Sequence, residues 1–385
     1  MTSVLFLDQS GNLGGAELCL LDIAYPHRQT SLVGLFKDGP FKAALESKTI
    51  PVQILSGSGI QVRKDSSLIQ ALQSLFHLGP CVSQAAKIAA SYELIYANTQ
   101  KALVVGALAS LLSGRPLVYH LHDIVTPDHF SPVNRRLIVT LANRVACQII
   151  ATSEAARSAF VEAGGNGDKV TVVYNGFNPS KYHRSAAERD HLRQKLGLEG
   201  KFVIGHFSRL APWKGQDVLL DALQHCDGLT QVLLVGAALY GEDDYVDYLH
   251  QQAKRLGISD RVQFLGFRDD VPALMAACDL VTHTSTAPEP FGRVVAEAML
   301  SQRPVIAAAA GGIVELIESG ENGWLVPPNQ PRLLAEAIQH CFEQPKVART
   351  VARTAYSEAV RRFHVAQTTQ QIVDVLEAAM ADNEH

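Results

Sequence analysis

Val4-Leu5-Phe6-Leu7-Asp8 and, just beyond it, Gly11-Asn12-Leu13-Gly14-Gly15-Ala16-Glu17 open the chain with an apolar run, a glycine-rich turn and a helix-forming stretch to Ala24. An apolar run that is not interrupted by polar residues reads as a strand buried on both faces. A helix directly after it makes the βα unit of a parallel sheet. The glycines let bare backbone approach a phosphate or a sugar closely. The spacing is not the G-x-G-x-x-G dinucleotide fingerprint, and the Lys-Ser/Thr pair of a P-loop is missing. No basic segment precedes the run, and an acid follows at Asp8, so the N-terminus reads as a strand and not as a secretion signal.

The same alternation continues outward. In the first half, strands are expected at Ser31–Phe36, Val52–Leu55, Leu94–Asn98, Leu117–His122, Gln148–Thr152 and Val170–Tyr174. Helices are expected between them at Leu68–Ala90 (broken at Gly79-Pro80), Ala102–Leu112, Val133–Arg144 and Glu154–Ala163. Ser131-Pro132 is a helix start, with a polar N-cap and proline at the first helical position. The polar stretch 178–200 then reads as a connection, after which the alternation restarts at Phe202–Phe207 and runs to Pro304–Ala308. Three helices follow Trp324-Leu325-Val326-Pro327-Pro328. Two successive doubly wound domains result, with ligands expected at the carboxyl ends of their strands and in a cleft where the two meet.

At 385 residues the chain is long enough for two cores, and 47% hydrophobic with 19% charged residues marks a well-buried globular protein. Lys+Arg against Asp+Glu is 14 to 12 over residues 1–180 and 20 to 26 over 181–385, which gives no electrostatic basis for nucleic-acid binding. The six cysteines are scattered in apolar contexts, so reduced buried thiols are expected. The longest apolar run, Ala102 to Leu112, is shorter than the roughly 20 residues of a membrane span, and a cytoplasmic protein is expected.

Chemistry-bearing residues gather in the second half. Glu289-Pro290-Phe291-Gly292-Arg293-Val294-Val295-Ala296-Glu297 sets one carboxylate in the loop before a helix and a second inside it. Glu297 shares the side of Glu289 only if Val294, Val295, Ala298 and Met299 take the core-facing stripe of that helix. Arg209 and Lys214 flank the first strand-to-helix turn of the second domain, where fixed cations suit a departing diphosphate. His120 and His122 alternate on one strand. His122, at the strand's end, is the better site candidate, and no third ligand at metal spacing accompanies them.

Taken together, Pro-Glu289-Pro-Phe-Gly-x-Val-x-x-Glu297-Ala-Met, Arg303-Pro304-Val305-Ile306-Ala307, Gly311-Gly312-Ile313-x-Glu315 and Gly320-x-Asn322-Gly323-x-Leu325-Val326-Pro327-Pro328 form an ordered set. With Arg209-Leu210-x-x-x-Lys214-Gly215 and Val173-Tyr174-Asn175-Gly176 upstream, they resemble the retaining glycosyltransferases of family 4. The resemblance implies the GT-B fold: two Rossmann-like doubly wound parallel-sheet domains facing each other across a deep cleft. It implies an acceptor-side domain over 1–177 plus about 362–385, a linker over 178–200, and a nucleotide-sugar domain over 201–361.

It also implies roles. Glu289 would hold hydroxyls of the donor sugar, helped by backbone N–H groups of Phe291, Gly292 and Arg293. Glu297 would accept the ribose hydroxyls, Arg209 and Lys214 would neutralise the diphosphate, and Gly14-Gly15 would cap it. His122 would approach the reacting sugar, Phe267 and Arg268 would lie against the base, and Asn175 belongs to the donor-binding set. No cofactor or metal is implied, the donor being a nucleotide-diphosphate sugar, UDP-linked in preference to GDP-linked. The implied reaction moves a hexosyl group to an acceptor hydroxyl of a saccharide or lipid-linked saccharide by front-face displacement. Leu68–Ala90 and Arg135-Arg136 read first as a core helix and two solvated arginines, with peripheral contact at the inner face of a membrane as the alternative. The competing readings are a sugar-nucleotide epimerase of the same fold and a catalytically silent sugar-nucleotide-binding partner subunit. The sequence leaves open the sugar, the nucleotide, the acceptor and its linkage, and the oligomeric state.

Overall fold

The computed structural model describes residues 2–55, 68–239 and 241–381, and the side chains of 68–77 lie outside that description. The chain divides into two units, residues 1–176 with 365–385, and residues 177–364. The first unit holds strands β1 (Val4–Asp8), β2 (Leu32–Leu35), β3 (Val52–Ile54), β4 (Leu94–Ala97), β5 (Leu117–Leu121), β6 (Ala146–Ala151) and β7 (Val170–Val172). Its helices are α1 (Gly15–Ala24), α2 (Pro40–Ser47), α3 (Leu68–Ala89), α4 (Gln100–Ser113), α5 (Pro132–Val145) and α6 (Glu154–Glu162). The strands pair in parallel in the order β3-β2-β1-β4-β5-β6-β7. The order reverses direction between β1 and β4, so the carboxyl ends of these two strands form the unit's switch point.

The second unit repeats the plan. It contains α7 (Ala186–Lys195), β8 (Phe202–Phe207), α8 (Gln216–Leu223), β9 (Thr230–Val235), α9 (Asp243–Arg255), β10 (Val262–Gly266), α10 (Val271–Ala277) and β11 (Leu280–His283). It continues with α11 (Arg293–Leu300), β12 (Val305–Ala308), α12 (Ile313–Leu316), β13 (Trp324–Val326), α13 (Pro331–Glu343) and α14 (Pro345–Arg362). Its parallel sheet runs β10-β9-β8-β11-β12-β13, with the switch point between β8 and β11. Each central strand is buried along its length, as VLFLD of β1 and LVTH of β11 show, because helices cover both faces.

Several local readings change. Pro80 lies inside a continuous α3 and does not end it. The short α2 follows Gly39 with proline at its start, and Trp324–Val326 is an edge strand paired with β12; neither has a periodic signature long enough to read. Val294 is only partly buried, whereas Val295, Ala296, Ala298, Met299 and Leu300 form the buried face of α11.

The stretch 178–200 belongs to the second unit. Asp279 receives Arg189 at 2.7 Å, Arg193 at 3.0 Å and the Val203 amide at 2.9 Å, and Arg193 also caps the Ala277 carbonyl at 2.8 Å. The last helix, α15 (Val365–Ala381), returns to the first unit. There Thr368 donates to the Tyr174 carbonyl, and Ile372, Val375, Leu376 and Ala379 join the core of Phe6, Tyr96, Val118 and Ile150. Asp279→Ala removes the shared acceptor of α7 and is expected to cost the second unit about 1.5–3 kcal/mol. Urea denaturation followed by a probe in that unit measures this; an unchanged midpoint would show that α7 is not held this way.

Candidate active site

At the second unit's switch point the polar groups converge on Glu289. This residue sits in the loop between β11 and α11 and is 8% exposed. Its Oε1 accepts from Lys214 Nζ, from Ser285 Oγ at 2.7 Å and from His283 Nε2 at 3.2 Å. Burial pushes the Glu289 carboxyl up, but the Lys214 charge and the His283 and Lys214 hydrogen bonds outweigh it and hold the group well below the usual carboxylate range. Glu289 is therefore a fixed anion, unsuited to a general acid near neutrality.

The backbone explains why Lys214 and Glu289 meet. Lys214 ends a single 3₁₀ turn, Pro212–Lys214, and Gly215 follows at φ 68°. A Cβ on Gly215 would lie 2.0 Å from the Thr284 carbonyl oxygen, so only glycine lets the β8 and β11 loops close to this degree. Thr284 Oγ donates to the carbonyls of Lys214 (3.1 Å) and Gly215 (2.7 Å), and the Thr286 amide donates to Trp213 (2.8 Å). The Lys214 ammonium also lies 4.0 Å over the Trp213 ring. On the other side the Gly312 amide donates to the Glu289 carbonyl at 2.8 Å. Gly311, at φ 64°, passes so close that a Cβ would sit 2.2 Å from that same carbonyl oxygen. The Gly311-Gly312 pair read from the sequence thus shapes the Glu289 loop.

His206, His283 and Ser285 were not legible as site residues. Each lies on a switch-point strand or just after it, and the polar run His283-Thr284-Ser285 at the end of an apolar strand was the signal available. Thr284 gives its one proton to the loop carbonyls, so His206 Nε2, 2.9 Å away, carries the hydrogen of that contact. Burial, with the charges of His283 and Lys214, pushes the His206 imidazole down to about 3.

The other second-unit candidates are placed as follows. Arg209 follows β8 and meets Glu242 at 3.6 Å. Glu297, on α11, meets Arg293 at 3.7 Å; burial pushes its carboxyl up, against the opposing pull of Arg293 and a Tyr182 hydrogen bond. Phe291 is buried, stacked on Phe177 at 6.2 Å and edge-on to Phe363 at 5.5 Å, so its ring anchors the loop. Gly292 caps α11 at φ 94°, and the first amides of that helix have no intrahelical acceptor. Phe267 stands 71% exposed after β10, and Arg268 makes a two-point ion pair with Asp270.

The first unit gathers its own set at the edge of β1, β4 and β5. Asn98 Nδ2 donates to Asp8 at 2.7 Å and to the Ala16 carbonyl at 3.2 Å, which leaves Oδ1 to accept from His122 Nε2 at 2.9 Å. Asp8 is fully buried, and burial, with the nearby Glu17 charge, pushes its carboxyl up to about 7. Gly14 donates its amide to Glu17 at 2.9 Å, and Gly15 begins α1. Asn175 is buried, and its Oδ1 has no hydrogen-bond partner among the described residues. The fold brings Cys19, from α1, close to His120 and His122, its sulfur within 4.8 Å of a nitrogen of each.

His206 is expected to stay neutral far below the ordinary histidine range. Its folded value is depressed, so the stability it contributes is fully present above about pH 6.5 and is lost as pH falls toward about 3. A ring-proton NMR titration checks this, and a His206 midpoint near the usual value would overturn it.

The family model for glycosyl transferases group 1 matches residues 188–358, and that for glycosyltransferase family 4 matches residues 52–181. The chain is 52% identical to Anabaena Alr3699/HepE, crystallised in complex with UDP-glucose. It superposes with a TM-score of 0.92 over 98% of this chain and 100% of that one. It is 26% identical, over 99% of its length and 90% of the relative's, to the D-inositol 3-phosphate glycosyltransferase of Salinispora arenicola. It is also 28% identical to spore coat protein SA of Bacillus subtilis, over 62% of its own length and 64% of that relative's. Two parallel Rossmann-like units carrying these matches in this order place the chain in the glycosyltransferases that join a family 4 domain to a group 1 domain on the GT-B fold.

Proposed function

We propose that this protein transfers a hexosyl group from a UDP-sugar to an acceptor hydroxyl with retention of anomeric configuration. The observation that carries the reading is the buried Glu289 anion held by Lys214, Ser285 and His283 at the β8/β11 switch point. Support for a UDP-sugar donor comes from the 52% identical Anabaena protein, which was crystallised with UDP-glucose, with UDP and glucose, and with UDP. A carboxylate that stays ionised, paired and hydrogen-bonded suits the hydroxyls of a sugar, and a neighbouring ammonium suits the phosphate oxygen that gains charge as it departs.

In the proposed step the bond between the anomeric carbon and the terminal phosphate oxygen breaks. The acceptor oxygen bonds to that carbon from the same face, and its proton passes to the departing phosphate. Lys214 and Arg209 offset the charge that develops, so the step needs no metal. Glu297 takes the ribose, Phe267 and Arg268 the base, the amides about Phe291–Arg293 and Gly14-Gly15 the diphosphate and sugar, and His122 the reacting sugar, with Asn175 in the donor-binding set.

The acceptor is a saccharide or lipid-linked saccharide. Among the described residues no helix is long and apolar enough to cross a bilayer. Leu111 and Leu112 are each 69% exposed at the end of α4, and Val133 and Leu137 are exposed on α5 around Arg135 and Arg136; this supports peripheral contact with an anionic membrane surface.

Lys214→Ala is expected to lower kcat/KM for UDP-sugar by roughly a hundredfold or more, the scale of removing one preorganised donor to a developing oxyanion. UDP release with acceptor present measures it, and near-wild-type turnover would remove Lys214 from the diphosphate. NMR of the product's anomeric proton tests retention, and an inverted product would refute it.

A further inference from the structure

We propose that Cys19, His120 and His122 form a binding site for a soft divalent cation, zinc above all, in the first unit. The three donors come from two elements, α1 and the β5 edge, and one atom from each lies within 4.8 Å of the other two. A thiolate with two imidazoles is a donor set that selects zinc over magnesium or calcium, which take oxygen ligands. Two independent features prepare the histidines. His120 is 1% exposed, its Nδ1 meets the Tyr96 hydroxyl, and its Nε2 has no hydrogen-bond partner among the described residues. A ring nitrogen left unmet in the core is what a metal's ligand needs to be, and the Tyr96 contact is the orienting partner that such ligands use.

The second histidine is set by Asn98. Its amide nitrogen faces two acceptors, Asp8 and the Ala16 carbonyl, so its oxygen must receive the His122 Nε2 hydrogen. Nδ1 of His122 is then the nitrogen that carries the lone pair. The two rings lie 3.8 Å apart between centroids. Cys19 and His120 are buried while His122 is only partly so, which gives an ion a way in on the His122 side. Binding releases the thiol proton to solvent and forms one sulfur–zinc and two nitrogen–zinc bonds, with water able to take the fourth position.

The consequence for transfer rests on the role proposed for His122. An ion drawing on that ring withholds it from the sugar, so zinc inhibits the enzyme and a chelator restores it.

The test titrates zinc into the metal-free full-length protein by calorimetry, and cobalt by its thiolate charge-transfer absorption. One ion per chain is expected, with the ring signals of His120 and His122 shifting in NMR. Cys19→Ser should abolish the absorption and weaken binding by more than about tenfold, and Tyr96→Phe, which keeps all three ligands, by roughly ten- to a hundredfold. No binding by the wild type, shifts confined to other histidines, or a folded Cys19→Ser that binds zinc like the wild type would overturn the site. If the serine variant does not fold, the wild-type NMR shifts and the Tyr96→Phe affinity decide alone. Zinc binding without inhibition would leave the site and overturn the competition for His122.

Discussion

A carboxylate taken out of water must bring positive charge and hydrogen bonds with it, and the second unit is built around meeting that condition at Glu289. Lys214 supplies the charge, and Ser285 and His283 supply further donors. Each partner is placed by something that has no chemical role of its own. Gly215 lets one loop close on another, Thr284 stitches the two, and Gly311-Gly312 brackets the Glu289 backbone. Removing a partner from a buried charge costs more than the net stabilisation the pair supplies, because the remaining charge is left unmet. The loops around the switch point are therefore constrained by electrostatics as much as by packing.

The edge of the first unit follows another logic. Asp8 and Glu17 are two buried, mutually repelling carboxylates, and burial pushes both upward. Asp8 is satisfied by neutral donors, the Asn98 amide and the Ser10 backbone. Where the second unit offers a paired anion, the first offers a hydrogen-bond relay from Asp8 through Asn98 to His122. Anions are better received at the first edge when its carboxylates are protonated.

The alternation of apolar runs with helical stretches made the two parallel sheets legible, because strands buried on both faces leave an uninterrupted apolar signature. The order of the strands was not legible from periodicity; the pairing of the strands in the structure supplies it. The short α2 and β13 escaped, since their packing and not their pattern holds them. The stretch 178–200 is polar because α7 is attached by arginines to one partly buried aspartate, so composition alone reads it as a connection. Glu289 and Lys214 stood out in motifs, whereas His206, His283 and Ser285 did not. The importance of His283 and Ser285 lies in contact with a carboxylate that the fold turns back onto them, and that of His206 in its contact with Thr284. Cys19 is the extreme case: about a hundred residues separate it from the histidines it meets, and no spacing rule links them.

The central claim is that Glu289 holds the sugar of the donor and not its nucleotide. Calorimetric titration of UDP-glucose and of UDP into wild-type protein and Glu289→Gln separates the two. The variant should bind UDP as the wild type does and lose most of the added affinity that the glucose confers. Equal weakening of both ligands, or a variant that keeps the wild-type preference for UDP-glucose, would contradict it.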